Sequence, residues 1–118
     1  MTVTRAAFAA ALTAAGMAGA PTRPATVAAG DAWPEWRASR WLNGCVIETG
    51  WFVYVALPGD PRAAIDVGDP LIEQVGQALV ELELRIDQVE PWRIPLGGDT
   101  QTGVGTSSVP ALRYTCTD

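Results

Sequence analysis

The sequence contains no histidine among its 118 residues. Histidine is the most frequent general base in enzymes, so its absence excludes the Ser-His-Asp triad and most zinc sites. Asp87 and Glu90 point to opposite faces of a regular strand and do not form a hydrolytic carboxylate pair. Asp60, Asp66 and Asp69 lack the spacing of a calcium-binding EF-hand loop. We therefore expect no enzymatic activity, no metal ion and no cofactor.

Lysine is also absent, and a phosphate-binding loop needs a lysine after its glycines. The glycines Gly97-Gly98 and Gly103-Val104-Gly105 invite comparison with such loops. No lysine follows them, and Pro110 opens a strand where a phosphate loop would lead into a helix. The sequence therefore predicts that residues 97–108 form a flexible loop, which serves either as a linker between strands or as part of an interface.

All eight basic residues are arginines, and the net charge is −5 with a pI near 4.5. Binding to nucleic acid depends mainly on positive charge, so a protein of this composition is not expected to grip DNA or RNA. The same charge disfavours an anionic membrane surface, and no apolar run is long enough to span a bilayer. We expect no membrane partner.

Only two cysteines occur, Cys45 and Cys116, and both fall in apparent strands. Cysteines in strands are more often small buried apolar residues than a redox pair. A disulfide would require the two strands to be neighbours, which the sequence leaves open.

The segment Cys45–Leu57 is the most strongly patterned part of the chain. It is rich in β-branched and aromatic residues, and its odd positions are nearly all apolar. From Trp51 onward it is apolar on both faces, which is typical of a central strand that is covered on both sides. Asn43-Gly44 predicts a hairpin turn before it.

Two helices are expected. Thr4 and Gly16 are suitable capping residues for an amphipathic helix over 4–15, although Met1–Ala20 also has features of a secretion signal. The second helix is predicted over 69–82, with Asp69 as N-cap and Pro70 at its first turn.

The remaining pattern predicts strands at 84–90, with an extension after Pro91, and at 109–117. An uncertain first strand falls within Ala20–Val27, which holds two prolines. The order is roughly α-β-β-β-α-β-β. We therefore expect a single α+β domain over 1–118, with a small mixed, mainly antiparallel sheet and two helices packed on it.

Tryptophan and arginine interleave between residues 33 and 41. Such a cluster has three interpretations: packing in the core or at a sheet edge, a protein–protein interface, or a ligand or nucleic-acid site. The acidic composition argues against nucleic acid.

Several segments together resemble one protein family. They are the short N-terminal helix, Gly30–Trp36, Gly50–Gly59, the helix ending in Ala78-Leu79-Val80, Val89-Glu90-Pro91 with its glycine-rich loop, and Val109–Thr115. In this order and at this length the chain resembles the tail terminator proteins of long-tailed, non-contractile phages that infect actinobacteria.

The resemblance implies a virion structural protein at the head-proximal end of the tail, assembled in the host cytoplasm. Such proteins form a six-copy ring that stops polymerisation of the tail tube. Its partners would be further copies of the chain, the tail tube protein and the head–tail connector or stopper, with DNA passing through the lumen without specific binding. The residues proposed for assembly contacts are Trp33, Trp36, Trp41, Asp99, Thr100, Gln101, Thr102, Gly103, Val104, Gly105 and Thr106.

Two other functions fit the same pattern. One is a different head–tail joining protein, the head-completion stopper. The other is a secreted binding domain, with Met1–Ala20 removed and a disulfide between Cys45 and Cys116.

Overall fold

Two helices pack on one face of a five-stranded sheet in the computed structural model, which describes residues 3–96 and 108–118. The elements are α1 (Arg5–Ala14), β1 (Ala18–Gly19), β2 (Asp31–Asn43), β3 (Val46–Ala56), α2 (Pro61–Glu81), β4 (Arg85–Pro95) and β5 (Ser108–Thr117). This is the α+β architecture with a mixed, mostly antiparallel sheet that the sequence predicts.

The strand order is β1-β2-β3-β5-β4, which puts β3 at the centre. The pairing of β1 with β2 is parallel, and the three other pairings are antiparallel. The prediction of a central strand over Cys45–Leu57 is therefore confirmed. The uncertain strand within Ala20–Val27 does not form, and the first strand is the short pair Ala18–Gly19 that precedes it.

Helix α1 has the capping residues expected from the sequence. The hydroxyl of Thr4 accepts a hydrogen bond from the backbone N–H of Ala7 at 3.1 Å, and Gly16 after the helix has a φ of 93°. Phe8 and Leu12 are completely buried. Their spacing of four residues puts both on the face that meets the sheet.

Helix α2 begins eight residues earlier than predicted, because the sequence holds two Asp-Pro pairs. The first pair supplies the cap, where the carboxylate of Asp60 accepts from Ala63 N–H at 3.0 Å and Pro61 occupies the first turn. Pro70 consequently lies inside the helix, where it removes one i→i−4 hydrogen bond. Pro70 and Asp66 are both exposed, so the freed carbonyl of Asp66 can bind water.

The helices divide the covered face of the sheet between them. α1 packs against β1 and β2, whereas α2 packs mainly against β4 and β5. Tyr114 anchors α2, because its hydroxyl lies 2.9 Å from the carbonyl oxygens of both Leu71 and Ile72. The core under the helices includes Phe8, Leu12, Trp51, Val53, Val55, Val75, Leu79, Leu112, Tyr114 and Cys116.

A second, smaller cluster covers the opposite face of the sheet. It consists of Trp33, Tyr54, Ile94 and Ala111, with Val27 and Phe52 packed against it. β3 is thus buried on both sides in its second half, as its residue pattern predicts.

Candidate assembly surface

The hairpin of β2 and β3 extends beyond the rest of the sheet. β5 reaches along β3 only as far as the pair Gly50–Thr117, whereas β2 and β3 stay paired as far as Asn43–Val46. We call this two-stranded extension, residues 37–48, the arm. It projects about 20 Å beyond Gly50, given the rise of an antiparallel strand.

Every residue from 37 to 47 is exposed. An isolated two-stranded hairpin is at best marginally stable in water. Register shifts between Trp36 and Ala38 and between Trp41 and Asn43 show that the pairing is also irregular. The arm therefore gains little from its own contacts and is free to gain stability from a partner.

The arm and the residue before it carry a concentrated apolar surface. Among the described residues eleven large apolar side chains are exposed, and five of them lie between positions 36 and 47: Trp36, Trp41, Leu42, Val46 and Ile47. Trp41 and Trp36 are 67% and 58% exposed. Contiguous apolar patches of this kind mark interaction surfaces, and tryptophan is enriched at the energetic centres of interfaces.

The apolar residues fall mainly on one face of the arm. Trp36 lies opposite Trp51, and Trp41 lies opposite Ile47. Directly opposed residues in an antiparallel pair share a face of the sheet. Since Trp51 belongs to the core under the helices, Trp36, Trp41 and Ile47 continue that apolar face beyond the point where the helices cover it.

Polar contacts hold the base of the arm in position. Trp36 Nε1 donates to Ser39 Oγ at 2.9 Å, and Ser39 Oγ donates to Thr49 Oγ1 at 3.2 Å. Arg40 pairs with Glu48 across the two strands at 3.1 Å. Arg40 is largely exposed, and a surface ion pair contributes little to stability, so the Arg40 guanidinium is available to a partner.

Trp33, one of the predicted contact residues, does not reach the surface. It is only 1% exposed and stacks on Tyr54 with ring centroids 5.7 Å apart. The position before Pro34 fixes an extended backbone, and the strand then turns the Trp33 indole toward the second cluster. Trp33 is therefore a core residue of the single chain, whereas Trp36 and Trp41 belong to the exposed surface.

The predicted loop residues Asp99, Thr100, Gln101, Thr102, Gly103, Val104, Gly105 and Thr106 lie outside the described residues. The arm adds Leu42, Val46 and Ile47, which the sequence reasoning missed. The turn between the two strands is Gly44-Cys45, one residue later than the predicted Asn43-Gly44. The sequence gives no sign of the register that pairs Thr117 with Gly50 and leaves these residues of the arm beyond the sheet.

Arg113 covers the second cluster with a stack of cation–π contacts. Its guanidinium carbon lies 3.5 Å from the ring centroid of Trp92 and 4.3 Å from that of Phe52. Arg113 Nε donates to the Glu90 carboxylate at 2.9 Å. Burial lowers the pKa of Arg113, but the bonds to Glu90 and Tyr54 outweigh it and raise the pKa overall. This face is closed by its own side chains and is a poorer interface candidate than the arm.

The two cysteines have different environments and do not form a disulfide. Cys45 lies exposed in the turn at the tip of the arm, so the expectation that it lies buried in a strand is wrong. Cys116 is buried opposite Trp51, and burial raises the pKa of its thiol to about 12. β3 and β5 are neighbours, but six residues separate Cys45 from Trp51, about 20 Å along the strand. A bridge between the two cysteines is incompatible with this register.

Charge is distributed unevenly over the molecule. Residues 60–83 carry six carboxylates and one arginine, which accounts for the whole net charge of −5. The six are Asp60, Asp66, Asp69, Glu73, Glu81 and Glu83. The rest of the chain has equal numbers of basic and acidic residues, and the arm has two arginines and one glutamate.

Within residues 3–96 and 108–118 no group of three or more cysteine and carboxylate side chains is placed to hold a metal ion. In the same ranges, neither helix combines the length and the hydropathy needed to cross a bilayer.

Comparison of the chain with known protein families, with curated proteins and with solved structures found no match.

Proposed function

We propose that this protein is a virion structural protein, a tail terminator that assembles into a ring at the head-proximal end of a phage tail. The ring would stop polymerisation of the tail tube and join the tail to the head–tail connector. The family resemblance described above suggests this function. The exposed apolar arm is the one structural observation that carries it, because such a surface calls for a protein partner.

A ring places a specific demand on each subunit. Cyclic assembly uses heterologous contacts, in which two different surfaces of the same chain meet. The arm projects from the β2–β3 part of the sheet, whereas the acidic residues 60–83 lie mainly on α2, which covers β4 and β5. These two surfaces differ in position and in charge, as two complementary patches of one subunit must.

The carboxylates that lie outside the contact between copies also suit the passage of DNA. Carboxylates facing the lumen would repel the phosphate backbone, so DNA would move through the ring without specific binding. The tail tube protein and the connector or stopper would occupy the two end surfaces of a ring of six copies. The protein would therefore be found in the virion, after assembly in the host cytoplasm.

The secreted, disulfide-bonded alternative is not supported, because its Cys45–Cys116 bridge conflicts with the register of β3 and β5.

Negative-stain imaging and sedimentation of the purified protein test the proposal. We expect rings with a central hole, formed in a concentration-dependent manner. The matched control replaces Arg40–Glu48 with an Asn-Gly turn between Ser39 and Thr49, which are paired in the structure. This shortened chain should fold and remain monomeric. Monomers of the full chain at every concentration, or rings formed equally well by the shortened chain, would contradict the proposal.

A further inference from the structure

A groove opens at the same end of the molecule from which the arm leaves. It lies where the start of α1 meets the end of α2, beside the last residue of β5, and has a volume of about 570 Å³. Asp118 N donates to the carbonyl of Thr49, at the base of the arm, at 3.0 Å. We call this concavity the end groove.

The end groove combines apolar and acidic lining. Its apolar side chains are Val3, Ala7 and Leu82, and its carboxylates are Glu81, Glu83 and Asp118. Asp118 is held within the fold, because it accepts from the backbone N–H of Thr49 at 3.0 Å and of Val3 at 3.4 Å. In the described part of the chain, neither Glu81 nor Glu83 forms an ion pair. Grooves of this size hold several side chains of a ligand or partner.

The arm has the complementary chemistry. Trp41 and Leu42 are its most exposed apolar side chains, and Arg40 precedes Trp41 in the chain with its side chain on the other face of the strand. An apolar anchor with an arginine beside it fits an apolar floor flanked by carboxylates, and opposite charges also orient the encounter.

The arm cannot fill the end groove of its own chain. β2 and β3 remain paired from the sheet to the tip, so the arm runs away from the body and its Trp41 is carried beyond the groove. In a ring, however, all copies present the same end to the same side. An arm that bends toward the neighbouring copy therefore lies over the end groove of that copy. The irregular pairing after Trp36 is a natural point for such a bend.

We propose that the arm of one copy places Trp41 and Leu42 in the end groove of the next copy, with Arg40 facing Glu81 and Glu83. This inference rests on the proposed self-assembly and names the surfaces that carry it. Because the arm and the groove are separate surfaces, each contact leaves one free arm and one free groove. Successive contacts of this kind close into a ring when the rotation between neighbouring copies completes a full turn, as the proposed ring requires.

Cys45 at the tip of the arm provides the test. Cys116 is buried, so Cys45 is the reactive thiol of the native chain. In the variant Glu81→Cys a second exposed thiol stands at the rim of the groove. After mild oxidation of the assembled protein, we expect non-reducing gels to show a ladder of disulfide-linked species up to the full ring.

Two matched variants control the experiment. Arg62→Cys places a thiol at the other end of the same helix, about 28 Å away along α2, and should give at most a tenth of the cross-linked product. Glu81→Cys combined with Cys45→Ser lacks the thiol on the arm and should give no ladder of disulfide-linked species on the gel. A charge exchange gives an independent readout: Arg40→Glu should weaken association at least tenfold, and Glu81→Arg in the same chain should restore part of it.

The outcomes separate this inference from the proposed function. Rings that form without a Glu81→Cys ladder, or with equal cross-linking of Arg62→Cys, would overturn the arm-in-groove contact and leave the ring intact. Doubly linked dimers alone would show a reciprocal exchange of arms, which would also overturn the head-to-tail contact. Absence of any assembly would refute the ring itself and the contact with it.

Discussion

The two halves of the β2–β3 hairpin are built from the same kinds of residue and have opposite environments. In the half that lies within the sheet, Trp33, Trp51 and Val53 are sealed between β5, the helices and the second cluster. In the arm, Trp41 and Ile47 lie in solvent on strands of similar composition. The difference shows that the burial of these side chains depends on what covers the strand, and not on the pattern of the strand itself.

The comparison also separates two roles. The covered half provides the stability of the single chain, because it removes large apolar side chains from water. The arm provides no such gain until a partner covers it. Substitutions in the two halves should therefore affect different measurements.

The largest expected effect comes from a matched pair of tryptophan substitutions. Trp51 is 6% exposed and packs on Phe8 with ring centroids 5.1 Å apart. Trp51→Ala should lower the free energy of unfolding by about 3–5 kcal/mol, because it leaves a cavity in the core. Trp41→Ala should change it by less than about 0.5 kcal/mol, as for other exposed positions, while weakening self-association. Urea unfolding measured at a concentration where the chain is monomeric checks both values.

Similar losses of stability in the Trp51→Ala and Trp41→Ala variants would contradict the distinction between the covered half of the hairpin and the arm. They would mean that the arm is folded onto the body of its own chain in solution.

The close approach of α1 to β1 gives the next largest effect. A Cβ on Gly19 would clash with the carbonyl oxygen of Ala9 and lie 2.7 Å from Thr13 Oγ1. Since the Ala9 carbonyl belongs to the backbone of the helix, Gly19→Ala should force α1 away from the sheet and cost about 1–3 kcal/mol. Thermal or urea unfolding measures the loss. Gly44→Ala at the turn of the arm, where no atom lies within 4 Å of the added Cβ, is the matched control and should have a much smaller effect.

Glu83 is expected to show effects of opposite sign on folding and on assembly. It is the one described residue other than glycine with a positive φ, 64°, at a position after α2 where glycine is favoured. Glu83→Gly should therefore raise the free energy of unfolding by up to about 1 kcal/mol. The same change removes a carboxylate from the end groove and should weaken association. Urea unfolding and sedimentation of one preparation test both, and a gain in both stability and association would contradict a role of Glu83 in assembly.

The smallest effect concerns the pH dependence of stability at the base of the arm. The hydrogen bond from Thr117 Oγ1 at 2.8 Å, aided by Arg85, lowers the pKa of Asp87 below its usual value. A lowered pKa in the native state stabilises the fold above the unfolded pKa of about 3.9 and loses that contribution as the pH falls through the native value.

Asp87→Asn should consequently reduce the loss of stability of the native chain on acidification from pH 5 to pH 3. Urea midpoints measured at both pH values for the two proteins check this. An equal loss in both would show that the Thr117–Asp87 contact does not influence the acid response.

Much of the fold follows from local chemistry. The caps of α1 at Thr4 and Gly16 can be predicted from the sequence, because a side-chain acceptor before a helix and a glycine after it are typical capping residues. The alternating pattern of β5 correctly places Tyr114 and Cys116 on the covered face. The start of α2 was predicted wrongly because Asp69-Pro70 has the same capping chemistry as Asp60-Pro61, and only packing of Ala64 and Gly68 on the sheet decides between them.

The candidate site was predictable in part. Interleaved tryptophan and arginine drew attention to residues 33–41, and Trp36 and Trp41 are exposed there, while their role in assembly stays a prediction. Trp33 was assigned to the same surface because residue type alone does not show which face of a strand meets a second layer. Leu42, Val46 and Ile47 were missed because their exposure results from the register of β5 on β3, which local sequence does not reveal.

The sequence by itself determined the element types, the central position of β3 and the absence of histidine chemistry, since these depend on residue identity and short-range pattern. Only the tertiary structure decided the register that pairs Thr117 of β5 with Gly50 of β3 and leaves residues 37–48 beyond the sheet. Strand pairing is a contact between residues far apart in the chain, and its register leaves no local trace. That register turns one end of an ordinary hairpin into an exposed arm.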